Sequence, residues 1–128
     1  MVLFVDDDEE MTDVVVQTLH RIGYSALAVN DPVHALAVFS SAPERFDAVI
    51  VDEIMPVMRG TELARQLIRI KDDLPILLLT GYGGMIPVEE ARSSGIRGTL
   101  MKPVHMEELK AILQKLSIPM KSDERKEP

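Results

Sequence analysis

Five consecutive acids, Asp6, Asp7, Asp8, Glu9 and Glu10, follow the apolar run Val2–Val5 at the start of this 128-residue chain. Like charges crowded in this way raise the energy unless something compensates them. A further acid, Asp52, ends the run AVIVD, Thr80 and Gly81 end ILLLTG, and Lys102 ends TLMKP just before Pro103. Carboxylate oxygens are hard ligands suited to Mg²⁺, which takes one or two protein carboxylates and keeps several waters. A carboxylate is also a nucleophile toward phosphorus, giving an aspartyl phosphate. The Thr80 hydroxyl, the Gly81 N–H and the Lys102 ammonium could then hold the three phosphoryl oxygens. Phosphoryl transfer needs mostly this positioning and charge neutralisation. Taken singly, each residue has a plainer explanation as a helix cap, a turn residue or a solvated charge. Taken together, such residues at four strand ends are hard to explain as caps.

These groups converge only if the elements behind them deliver the strand ends to one edge. Apolar runs at 2–5, 25–29, 48–51, 75–79 and 98–101 read as five short strands. The first, third and fourth are continuously apolar, as in a parallel sheet covered on both faces. Met11, Val14, Val15, Leu19 and Ile22 keep a helical rhythm that Gly23 stops. Asp31 and Pro32 start a second helix as cap and first residue. Leu63, Leu67 and Ile70 mark a third. The segment 81–94, with Gly83, Gly84 and Pro87 near its start, reads as a loop and a short helix. A last helix runs from Val104 or His105 to Leu116, with Met106, Leu109, Ile112, Leu113 and Leu116 inward. Repeated βα units with right-handed crossovers give an open, doubly wound α/β fold. Ligands bind such sheets beyond the carboxyl ends of the strands, where strand order reverses.

Length and composition set the bounds. One domain is expected at 128 residues, and 46% apolar with 27% charged residues is globular rather than disordered. The net charge of −7 argues against nucleic-acid binding and suits a cation. With no cysteine, thiolate metal sites and disulfides are excluded and a cytoplasmic setting is expected. No apolar stretch is long enough for a membrane span, and no signal-peptide pattern follows Met1. The first strand starts at residue 2, which suits either a short natural N-terminus or a domain cut from a longer chain. Residues 1–118 read as the domain and 119–128 as a polar tail or linker. His20, His34 and His105 lack metal-ligand spacing, and Met55, Met101 and Met106 suit the core or crevice walls.

The motifs FVDDDEE, VIVDEIMPVMRG, LLLTGY and LMKP resemble those of response-regulator receiver domains, over residues 2 to about 117. The pattern D-x-x-M-P-x-M-x-G is the most specific of them. The resemblance implies a flavodoxin-like five-stranded parallel sheet of order 2-1-3-4-5 with five flanking helices. It implies that Asp52 is the phosphoacceptor, and that Asp7, Asp52 and the Ile54 carbonyl bind Mg²⁺, with Asp6 helping through water. Thr80 and Lys102 would contact the phosphoryl group, Thr80 would move as a switch, and the Lys102–Pro103 bond would be cis. The phosphoryl donor would be a sensor histidine kinase or a histidine phosphotransfer protein. The chain would catalyse only its own phosphorylation and dephosphorylation, as a monomer or weak dimer. TGYGG and the spacing to GIRGTLMKP are similar to receivers at the C-terminus of hybrid sensor histidine kinases.

Four positions depart from the family. Thr99 stands where an aromatic ring usually swings inward, so that readout is missing or replaced. Val104 stands where Phe is common. Ile54 and Tyr82 flank the path of a hydrolytic water, and an apolar and a bulky residue there imply a longer phosphoryl lifetime. Two other readings compete. A haloacid-dehalogenase-like phosphatase also uses an aspartyl phosphate, and Asp6-Asp7-Asp8 offers its D-x-D pair. However, Glu10 stands where Thr or Val is usual, no late acidic pair follows a strand, and the Asp52 motif goes unexplained. A degenerate receiver serving only as a binding module is opposed by the presence of Asp7, Asp52, Thr80 and Lys102. Within the opening acids, Asp6 and Asp7 need the cation. Asp8 is expected to cap the first helix, with Glu9 and Glu10 in its dipole-favoured first turn.

Overall fold

The computed structural model describes residues 1–81 and 88–121, so the expectations for Tyr82, Gly83, Gly84 and Pro87 fall outside it. Strands and helices alternate as β1 (Val2–Val5), α1 (Glu9–Arg21), β2 (Ala26–Val29), α2 (Pro32–Ser41), β3 (Ala48–Asp52), α3 (Gly60–Ile70), β4 (Ile76–Thr80), α4 (Val88–Ser93), β5 (Ile96–Met101) and α5 (Met106–Lys115). The strands are parallel in the order β2-β1-β3-β4-β5, the flavodoxin-like arrangement expected. The helix signals work as capping chemistry requires. The Asp8 carboxylate accepts from the Glu10 and Met11 amides at the head of α1, and Asp31 does the same for Val33 and His34 at the head of α2. Gly23, at φ +102°, turns the chain after α1.

Because strand side chains alternate between faces, the sheet sorts its apolar residues into two cores. Leu3, Val5, Val49, Val51, Ile76 and Leu78 join Phe39, Phe46, Leu63 and Leu67 under α2 and α3. Val2, Phe4, Ile50, Leu77, Leu79 and Leu100 join Val15, Leu19, Leu109 and Leu113 under α1 and α5. Beyond α5 the chain folds back beneath the sheet. Ile118 is buried in the second core, Met120 packs against it, and the Lys121 N–H donates to the Gly23 carbonyl at 2.6 Å.

Several details differ from the sequence reading. β5 starts at Ile96, two residues earlier, because Ile76 pairs with Ile96 and Leu77 with Gly98, leaving Arg97 as an extra residue. Asp52 and Thr80 are the last residues of their strands instead of the first beyond them. Val14 and Ile70 are exposed, since the buried stripes run through Thr12, Val15 and Leu19 on α1 and through Leu63, Ala64 and Leu67 on α3. Met101 is exposed on the edge strand rather than in the core.

Candidate functional site

β1 and β3 pair directly, with Val5 opposite Val51, so Asp6 and Asp52 emerge side by side. This is where the chain departs toward β2 on one side and β3 on the other, the reversal point of the sheet. Asp6, Asp52 and Lys102 also continue the parity of Phe4, Ile50 and Leu100, so all three extend toward the α1–α5 side. The carboxylate oxygens of Asp6, Asp7 and Asp52 lie within 4.8 Å of one another. Lys102 Nζ reaches Asp52 Oδ1 at 3.2 Å and Asp6 Oδ2 at 3.4 Å. Asp6 and Asp52 are buried, whereas Asp7 is exposed.

The Lys102 ammonium lies against the two buried carboxylates, and burial is the first influence on all three groups. Burial raises the Asp6 pKa, and the Asp8 amide and Lys102 only partly counter it. Burial and then repulsion from Asp6 raise the Asp52 pKa. Burial alone would lower the Lys102 pKa, but the two acids outweigh it and raise it. Asp6 Oδ2 is fully buried and has no properly formed hydrogen bond despite its ion-pair distance to Lys102. A buried oxygen left in that state is costly. An orphaned oxygen, two neighbouring carboxylates and an exposed side for waters fit a small hard cation such as Mg²⁺.

The other expected site residues are placed as follows. Thr80 is buried at the tip of β4, and its hydroxyl donates to the Leu100 carbonyl at 3.4 Å, a long bond. Gly81 is half-buried, and a methyl there would meet none of the described residues within 4 Å beyond its chain neighbours. Ile54 is 67% exposed, so its side chain stands off the sheet while its backbone follows Asp52 by two residues. Thr99 is exposed on β5, and the Lys102–Pro103 peptide bond is cis.

Two features of the loop after Asp52 escaped the sequence reading. Arg59, the residue preceding α3, makes no side-chain cap. The buried Glu53 supplies one instead, accepting from the Thr61 amide at 2.9 Å and pairing with Arg59. No local spacing rule signals a cap drawn from eight residues away. Glu53→Ala strips the Thr61 amide and Arg59 of their acceptor. It is expected to lower unfolding stability by about 2 kcal/mol, readable in a urea titration.

The second is Val57, which is 87% exposed and sits at φ +75°. A β-branched residue is strained in that conformation. Val57→Gly is therefore expected to raise stability by roughly 1 kcal/mol, its added chain entropy offsetting part of the relief. An unchanged or lower urea midpoint would show that Val57 is not strained.

Comparison with known proteins fits this geometry. Residues 2–114 match the family model described as the response regulator receiver domain. The response regulator MprA of Mycobacterium leprae is 36% identical over 126 residues, 98% of this chain and 54% of that protein. MprA of Mycobacterium avium is 36% identical over 115 residues, 90% of this chain and 50% of that protein. The chain thus spans about half the length of these curated relatives. Among solved structures, the chemotaxis protein CheY4 of Vibrio cholerae superposes with a TM-score of 0.81 at 35% identity, over 90% of this chain and 96% of that one. A receiver domain protein from Clostridium thermocellum superposes with a TM-score of 0.84 over 90% and 91% of the two chains; at 24% identity it supports the fold alone.

Proposed function

The chain belongs to the receiver-domain family of response regulators, and from that premise we propose that it takes a phosphoryl group from a phosphohistidine onto Asp52 in a Mg²⁺-dependent reaction. The observation that carries this reading is the meeting of Asp6, Asp7, Asp52 and Lys102 at the reversal point, with one buried Asp6 oxygen held only by a long ion pair to Lys102 and no hydrogen bond. An Asp52 oxygen attacks phosphorus, the phosphorus–nitrogen bond breaks, and its electron pair returns to the donor imidazole. Mg²⁺, when bound, neutralises charge on the transferring group. Asp7, Asp52 and the Ile54 carbonyl would hold it, with Asp6 acting through water. Lys102, the Thr80 hydroxyl and the Gly81 amide would take the phosphoryl oxygens.

The modification adds roughly −1.5 to −2 charges. Thr80, now engaged only by a long bond to Leu100, is free to turn toward them. With no ring at position 99, the change in surface passes through Thr80, the strand around Thr99 and α4. The donor is a sensor histidine kinase or histidine phosphotransfer protein. We further propose a cytoplasmic receiver of residues 1–118 with a tail or linker at 119–128 whose first residues fold back through Met120 and Lys121, monomeric or weakly dimeric, of the kind found in hybrid sensor kinases. Its only chemistry would be its own phosphorylation and dephosphorylation. No helix among the described residues is long and apolar enough to cross a membrane.

The test is incubation with acetyl phosphate and Mg²⁺, followed by mass spectrometry for a hydroxylamine-labile adduct mapped to Asp52. Turnover of phosphomonoesters, or absence of any adduct, would overturn the reading. Ile54→Asn is expected to shorten the adduct's lifetime by offering a polar group to the attacking water. Slower decay in that variant than in wild type would remove Ile54 from the account.

A further inference from the structure

Asn30 follows β2 and is exposed, yet its side-chain amide is directed inward. Nδ2 donates to the Asp6 backbone carbonyl at 2.9 Å and to Thr12 Oγ1 at 3.1 Å. Thr12 is buried, and its hydroxyl donates onward to the Glu9 carbonyl at 2.8 Å. The carbonyl that Asn30 holds belongs to the peptide joining Asp6 to Asp7.

The residues on either side of Asp7 have restraints of their own. The Asp6 N–H donates to the Val29 carbonyl at 3.2 Å, the Asp8 N–H donates to Asp6 Oδ1 at 3.0 Å, and the Asp8 carboxylate caps α1. The Asp7 carboxylate has no hydrogen-bond or ion-pair partner among the described residues. Its place beside Asp6 and Asp52 is therefore set by its backbone, while the charges of those two acids push it away. A rotation of the Asp6–Asp7 peptide would let it go, and the Asn30 bond opposes that rotation.

We propose that Asn30 is a positioning residue for the cation site: with Thr12 as its second acceptor, it pins the Asp6 carbonyl and keeps Asp7 within reach of Asp6 and Asp52. The inference rests on the Mg²⁺-dependent reading above. Groups that orient metal ligands without touching the metal typically change affinity by roughly 10- to 100-fold when removed. A cross-link that merely joined β2 to α1 would change stability and leave the affinity of the folded protein alone.

The experiment titrates Mg²⁺ alone, calorimetrically, into wild type, Asn30→Ala, Thr12→Val and Thr12→Ser, each confirmed folded by circular dichroism. Asn30→Ala is expected to weaken Mg²⁺ binding roughly 10-fold. Thr12→Val should weaken it less, and Thr12→Ser, which keeps the hydroxyl, should match wild type. With acetyl phosphate, the Mg²⁺ concentration for half-maximal labelling should rise while the rate at saturating Mg²⁺ is retained. In metal-free buffer, the Asp8 amide, which donates to Asp6 Oδ1, should exchange faster in Asn30→Ala while β3 amides do not. Equal Mg²⁺ affinity in folded Asn30→Ala overturns the proposal, as does a lost plateau rate at unchanged affinity. If Asn30→Ala does not fold, the Thr12 pair decides, and equal affinity in Val and Ser variants overturns it. Wild type that binds no Mg²⁺ overturns the underlying functional reading and this proposal with it.

Discussion

Asp52→Asn protein is expected to take up no phosphoryl group from acetyl phosphate and, without Mg²⁺, to melt at a higher temperature than wild type. The first effect follows because the amide is no nucleophile toward phosphorus, and neither Asp6 nor Asp7 replaces it. Asp6 is fully buried, with one oxygen taken by the Asp8 amide and the other against Lys102. The second follows from charge. Asparagine keeps the shape, removes one of three clustered negative charges, and leaves Lys102 to Asp6. The lost attraction to Lys102 and the relieved repulsion largely cancel. Relief of burial decides the sign, because burial is the first cause of the raised Asp52 pKa. The net gain is on the order of 1 kcal/mol, or roughly 4 °C in Tm for a domain of this size.

The pH dependence has a definite direction. An acid whose pKa is raised by folding destabilises the native state fully above its folded pKa, and the penalty fades as pH falls through that value toward the ordinary carboxylate range. The advantage of Asp52→Asn over wild type should therefore be greatest near neutral pH and shrink on acidification. Mg²⁺ should also close the gap, because it stabilises wild type more. Melting curves at several pH values, with EDTA or with Mg²⁺, measure both trends. A variant that melts lower than wild type in EDTA at neutral pH would contradict the charge argument.

Gly60→Ala is expected to cost roughly 3 kcal/mol, the upper range for overpacking, with a fall in Tm on the order of 10 °C. A Cβ at this position would lie 2.4 Å from the Asp52 carbonyl oxygen and 3.0 Å from Glu53 Cα. Both are backbone atoms in a fully buried strand end, so neither can swing aside as a flexible side chain would. The loop is also closed by the Gly60 N–H donating to the Glu53 carbonyl at 3.0 Å. Alanine is the better helix former by about 1 kcal/mol in a helix interior, but Gly60 is the first residue of α3 and the clash outweighs that gain. The displaced Asp52 carbonyl should carry the acid with it, so residual labelling at 20 °C should need more Mg²⁺. A Gly60→Ala protein as stable as wild type would show that the loop opens at little cost.

The glycine also shows how the sequence can be legible as pattern and silent as physics. The D-x-x-M-P-x-M-x-G spacing marks the loop after Asp52, but only the fold shows that the terminal glycine is there because its α-carbon lies against the Asp52 backbone. The strands could be read because continuous apolar runs and helix stops are local signals, whereas their order followed only from the resemblance to receiver domains. Asp6, Asp52 and Lys102 could be placed together because strand ends in a parallel sheet share an edge. Glu53 and Asn30 could not. The partners of Glu53 lie six to eight residues on, and those of Asn30 lie 18 and 24 residues back. Val14 and Ile70 were misjudged for a different reason. A helical rhythm of apolar residues fixes the stripe's period but tolerates one residue lying beside it.

The fold-back after α5 has a practical consequence for watching the domain work. Lys121 is moored to Gly23, which lies where α1 hands over to β2, at the amino ends of the strands. The acids stand at the carboxyl ends. A dye or surface tether attached at position 121 would thus have the length of the strands, four to six residues, between itself and the acids. Labelling there should leave Mg²⁺ binding and phosphorylation untouched, so a donor protein can approach the acids while the other end is held.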